Sequence, residues 1–113
     1  MSHSEIEKSK PYITVDIIEY VSNSVVIKSI IKKLTGTISA VSIDTGEGLT
    51  EKTSPFDTYV QIIEGKAEVV IDGISFTLET GHSVIIPAHK SNIFKANERF
   101  KMILTVIKSG YDA

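Results

Sequence analysis

Thr58 to Pro87 reads TYVQIIEGKAEVVIDGISFTLETGHSVIIP, and this stretch decides the fold. Short runs rich in Val, Ile, Thr, Tyr and Phe alternate with turn signals at nearly even spacing, which is the pattern of a small antiparallel barrel. Glu64-Gly65 separates TYVQII from KAEVVI, Asp72-Gly73 separates KAEVVI from ISFTL, and Glu79-Thr80-Gly81 leads into SVIIP. Within the first run Thr58, Val60 and Ile62 alternate with Tyr59, Gln61 and Ile63, so one set faces a core and the other faces away from it.

The pattern continues on both sides of this stretch. Upstream, the Ser22-Asn23-Ser24 turn cluster precedes the β-branched run VVIKSII, Val25 to Ile31, which Lys32, Lys33 and Gly36 interrupt. GTISAVSID then alternates, and Gly46-Glu47-Gly48 opens a loop that runs to about Phe56. Downstream come a loop at Ala88 to Ser91, a short strand NIFKA, a turn at Asn97-Glu98 and a last strand FKMILTVI, Phe100 to Ile107. PYITVDIIEYV, Pro11 to Val21, suits either a short helical turn or an edge strand. The expectation is an all-β jelly-roll barrel of about nine or more antiparallel strands, with residues 1–10 as a flexible polar tail and 11–113 as one domain.

The closing strand is apolar on both faces, with Phe100, Met102, Leu104 and Val106 on one and Ile103 and Ile107 on the other. One face lines the barrel; the other needs a second sheet, the N-terminal segment or another subunit. Tyr59, Ile63 and Ile103 add to the outward apolar set, and a homodimer is the expected assembly.

Composition narrows the chemistry. The 113 residues carry twelve Lys plus Arg against fourteen Asp plus Glu, a net charge of -2, with both signs scattered, which argues against a nucleic-acid surface. There is no cysteine, so disulfides, thiolate metal sites and Cys nucleophiles are excluded. MSHSEIEKSK has no apolar signal region and no run approaches a membrane span, so a soluble cytoplasmic protein is expected. Gly46-Glu47-Gly48 lacks the Lys-Ser/Thr and helix start of a phosphate loop. His82 reads as a solvated turn residue, His3 lies in the tail, and Asp57 reads as a turn cap or lysine partner.

The chain resembles the small single-domain cupins of the cupin type 2, conserved-barrel group, over roughly Ser42 to Ile107. Their first motif ends in a Tyr-Val-Leu-Glu-Gly-like turn, matched by Tyr59-Val60-Gln61-Ile62-Ile63-Glu64-Gly65, and their second begins Gly, five residues, Pro, matched by Gly81-HSVII-Pro87. GEGLTEKTSPFDTYVQIIEG followed by FKMILTVIK is similar to short bacterial cupins of unassigned function. The resemblance implies a double-stranded β-helix of the RmlC-like type with a pocket, often holding Mn, Fe, Ni or Zn on three His and one Glu. Such ions need imidazole and carboxylate lone pairs at about 2 Å from several directions.

Those donors are missing from the matching positions. The His-x-His pair falls within Glu51-Lys52-Thr53-Ser54, the glutamate position is Thr58, and the second-motif histidine position is Asn92. His89 stands where the family has a glycine. No cofactor is expected; the alternative is a divalent metal on an irregular Glu51, His89 and Asn92 site. The ligand-pocket candidates are Lys52, Thr58, Val60, His89, Asn92 and Phe94. Lys52 either turns its ammonium toward an anionic ligand or remains an exposed loop residue. Phe94 either walls the cavity or fills it. Three functions follow: a metal-free barrel that binds a small organic molecule, an isomerase, epimerase or dioxygenase with the irregular site, and a dimeric scaffold with a filled barrel.

Overall fold

The computed structural model describes residues 5–49 and 53–108. Eight strands follow in chain order: β1 (Val25–Lys33), β2 (Gly36–Ile43), β3 (Gly48–Leu49), β4 (Thr58–Ile71), β5 (Ile74–Glu79), β6 (Ser83–Ile86), β7 (Asn92–Lys95) and β8 (Phe100–Ile107). All pairings are antiparallel. The first sheet runs β1, β2, β8, the N-terminal half of β4, then β6. The second runs β3, β7, the C-terminal half of β4, then β5.

β4 belongs to both sheets, and this corrects the reading of Glu64-Gly65 as a hairpin turn. The strand runs unbroken for 14 residues, with a register shift between Ile62 and Glu64 where it leaves one sheet for the other. Gly65 takes φ +94°, and a Cβ there would lie 2.5 Å from the Arg99 carbonyl oxygen, so only glycine lets β4 and the start of β8 approach at this corner. Asp72-Gly73 is a true two-residue hairpin: both residues have positive φ, at 50° and 82°, between the paired Ile71 and Ile74.

Inward side chains of the two sheets meet in one core that includes Val41, Ile43, Val60, Ile62, Val69 and Phe100. Each is worth roughly 1.5–3 kcal/mol of transfer free energy, more than any polar contact described below. The period-2 alternation expected for 58–62 is observed, with Val60 and Ile62 buried and Tyr59 exposed.

The N-terminal segment accounts for the missing ninth strand. Thr14–Asp16 form a single 3-10 turn, and the chain to Tyr20 lies across the outer face of β2 and β8. Ile18, 3% exposed, packs on Ala40 and on Ile103, which is 7% exposed as a result. The outward face of Ile103 is therefore covered from within the chain. The segment forms no ladder because its carbonyls are taken by side chains. Lys101 Nζ donates to Val15 O at 2.7 Å, Ser42 Oγ to Glu19 O at 2.9 Å, and Lys28 Nζ to Ile17 O at 3.3 Å. Within the stretch read as a tail, Glu5 Oε2 accepts the Lys32 N–H of edge strand β1 at 2.6 Å. No helix among the described residues is long and apolar enough to cross a membrane.

Candidate functional site

The site lies at the end of the barrel where β4 and β7 begin and β6 and β8 finish. Its rim is made by two loops fastened together through their backbones. His89 N–H donates to Ser54 O at 2.6 Å, and Ala88 N–H donates to Asp57 Oδ1 at 2.8 Å. Asp57 thus acts as a turn cap. His89 has φ 68°, a left-handed conformation that His adopts more readily than most residues, and its side chain is exposed. Phe56 N–H donates to Ser54 Oγ at 3.1 Å, which orients that hydroxyl.

Behind this rim the two sheets stand apart around a cavity of about 370 Å³. Thr58, Leu104 and Val106 come from the first sheet, with Ile27 and Ile86 at its two edges; Leu49, Asn92 and Phe94 come from the second, and Ser54 from the rim. The register explains the grouping: Thr58 is opposite both Val106 and Ile86, and Leu49 is opposite Phe94. The described lining is mostly aliphatic, with hydroxyls from Ser54 and Thr58 and the Asn92 amide as its polar groups. Phe94 is buried and forms a wall, leaving the space beside it open.

The pocket candidates from the sequence are thus divided. Thr58, Asn92 and Phe94 come together on the cavity. Val60 lies deeper, wholly buried in the core, and does not line it. His89 reaches the rim only through its backbone. Lys52 and Glu51 lie outside the described residues. The sequence reading left out Ile27, Leu49, Ser54 and Ile86, and it placed Leu104 and Val106 on a barrel-facing strand without assigning them to the pocket. The alternation of β8 was a sufficient signal for the last two.

No protein-family model and no curated protein matches the sequence. Solved structures do match. A conserved protein of unknown function from Streptococcus pyogenes superposes with TM-score 0.88 at 25% identity, covering 95% of this chain and 94% of that one. A cupin superfamily protein from Desulfitobacterium hafniense gives TM-score 0.85 at 25% identity over 91% and 94% of the two chains. A cupin 2 conserved barrel domain protein from Leptotrichia buccalis gives TM-score 0.80 at 28% identity, covering 83% of this chain and 46% of that one. This chain has the fold of the small cupins.

The described residues do not make up the metal set that the cupin resemblance implies, and Glu51 of the irregular alternative lies outside them. Among the described residues no three His, Cys, Asp or Glu side chains cluster closely enough to hold an ion. The described polar groups on the cavity are two hydroxyls and an amide, which are weak ligands for Zn, Fe or Ni. His82 is engaged elsewhere: its Nδ1 accepts the Glu79 N–H at 2.8 Å in the turn before β6, which puts the proton on Nε2. Among the described residues no buried side-chain polar atom lacks a hydrogen-bond partner, so the described interior shows no orphaned group awaiting a ligand atom.

Proposed function

We propose that this cupin-fold chain binds a small organic molecule in its open-ended cavity without a bound metal. The observation that carries the reading is the cavity itself, about 370 Å³ of apolar-walled space with a few polar groups at its mouth. That is the size and composition of a small-molecule site. The backbone bonds between the Ser54–Asp57 and Ala88–His89 loops hold the mouth in shape before a ligand arrives, so little ordering has to accompany binding. A catalytic role has less support, because the lining offers no acid, base or nucleophile with an activating neighbour among the described residues.

A melting-temperature screen against sugar acids, keto acids, nucleosides and small neutral aromatics tests the proposal. A compound at 100 times its dissociation constant adds about 2.7 kcal/mol to stability and raises the midpoint by several degrees. A screen in which no compound at millimolar concentration moves the midpoint contradicts it, and favours a scaffold role.

We also propose that the chain forms a homodimer through the outer face of its first sheet. Beyond the area covered by the N-terminal segment, Tyr59 (41% exposed) and Ile85 (59%) are cross-strand neighbours on that face, and Ile107 (64%) lies two residues beyond Thr105, the β8 partner of Tyr59. The free edge of the same sheet, β1, carries Lys28, Lys32 and Lys33, which disfavour edge-to-edge pairing and leave the face as the surface for a second copy.

A further inference from the structure

We infer that residues 13–20 form a strap that lifts from the barrel as a unit while both sheets stay closed, uncovering the apolar centre of the first sheet's outer face. The inference stands apart from the ligand binding and the assembly proposed above. Every strand of the barrel is held by a backbone ladder as well as by its side chains. The strap spends its backbone bonds internally, Asp16 N–H donating to Ile13 O at 2.9 Å and Ile17 N–H to Thr14 O at 3.1 Å. Among the described contacts, one buried side chain, Ile18, and four hydrogen bonds made by side chains fasten it to the sheets. These run from Lys101 to Val15, Lys28 to Ile17, Ser42 to Glu19 and Tyr20 to Glu64. A segment with few buried apolar contacts opens at lower free energy than the core, and without it.

Closing the strap has opposed effects. It buries Ile18 on Ala40 and Ile103, and it sets the ammonium of Lys101, a residue 7% exposed, against the Val15 carbonyl and the Tyr20 ring in place of water. Lifting the strap returns that ammonium to solvent and restores the conformational freedom of the segment.

The ends of the strap are arranged for such a motion. Past its C-terminal end, the turn at 21–24 is closed by Ser24 N–H to Val21 O at 3.1 Å, and Asn23 N–H donates to Asp44 Oδ2 at 2.7 Å. Asp44 directly follows β2, so this turn stays on the barrel as a pivot. Toward the N-terminus, the bond from the Lys32 N–H to Glu5 is exposed to solvent and gives way easily. Beneath the strap lie Ala40, Ser42 and Ile103, with Ile38 and Ile63 packed beside them. Ile38 shares a cross-strand row with Thr105, Tyr59 and Ile85, so the uncovered surface is continuous with the exposed apolar residues of that face.

The chain has no cysteine, which makes a single introduced thiol a clean reporter. Val41 and Ser42 are neighbours on β2, both 0% exposed, and they point to opposite faces: Val41 into the core, Ser42 under the Glu19 carbonyl of the strap. Val41→Cys and Ser42→Cys, each in the full chain, are labelled with a thiol reagent, and each rate is divided by that of the same unfolded chain. The thiol at position 42 is expected to react at least about tenfold faster than the one at 41. Its rate should hardly change with urea below the unfolding transition, whereas the rate at 41 climbs steeply, because lifting the strap exposes far less surface than unfolding the barrel. Adding Tyr20→Phe, which removes the bond to Glu64, is expected to raise the rate at 42 about two- to fivefold. Should either reporter fail to fold, Val69→Cys in the core and Ala40→Cys under Ile18 take their places. Equal rates with the same urea dependence overturn the inference, since the strap then leaves only when the barrel unfolds. A rate at 42 that Tyr20→Phe leaves unchanged overturns it too, because a motion other than that of the strap then exposes the thiol.

Discussion

Tyr20 ties the N-terminal segment to the strand shared by the two sheets. Its hydroxyl donates to Glu64 Oε1 at 2.7 Å, and the Arg99 guanidinium and Lys101 ammonium lie 4.3 and 5.0 Å from its ring centroid. Burial, and then the hydrogen bond to the Glu64 carboxylate, raise the phenol well above its usual range, because both disfavour a phenolate there. A raised acid contributes its stability while protonated, so the contribution is present in full below about pH 10 and is lost as pH climbs beyond it. Tyr20→Phe is expected to cost about 0.5–1 kcal/mol at pH 8, toward the low end for a hydrogen bond that solvent partly reaches. The difference from the wild type should shrink in urea melts above about pH 10; a difference that stays constant across that range contradicts this account of the residue.

At the scale of elements the governing feature is the passage of β4 from one sheet to the other at Gly65. Gly65→Ala combines a left-handed backbone with a Cβ 2.5 Å from the Arg99 carbonyl and 3.0 Å from Phe100, so neither strand can keep its place. A loss of about 1–3 kcal/mol is expected, read as a lower urea midpoint; a neutral effect would mean that the corner relaxes freely. The same position shows what local sequence conveys and what it does not. Asp72-Gly73 and Glu64-Gly65 look alike in the chain, and only the first is a hairpin. Turn chemistry reports a demand for positive φ, whereas the strand paired across it decides whether the chain reverses or bulges, and that partner is more than thirty residues away in β8. The N-terminal segment was illegible for a related reason: its carbonyls are satisfied by Lys101, Ser42 and Lys28, so it needs neither helical nor strand periodicity. β3 spans two residues, too few for any period to appear.

For the molecule as a whole, the antiparallel barrel was legible because each long strand alternates, and the cupin resemblance turned Thr58, Val60 and Ile62 inward. Depth did not follow. Only closure of the two sheets puts Val60 in the core and Thr58 on a cavity, and only loop geometry directs the His89 backbone to Ser54 and its ring to solvent. Assembly belongs to this scale too. Light scattering on the purified chain is expected to give twice the chain mass, and Ile85→Asp, which places a charge in the outer apolar row, to give the monomer; a wild-type monomer contradicts the proposed interface. The central proposal is that this cupin-fold chain keeps the barrel and its pocket and works without a bound metal. Elemental analysis of protein purified without chelator tests it most directly: far less than one equivalent of Zn, Mn, Fe or Ni per chain is the expected result, and a full equivalent that a chelator removes with loss of thermal stability would contradict it.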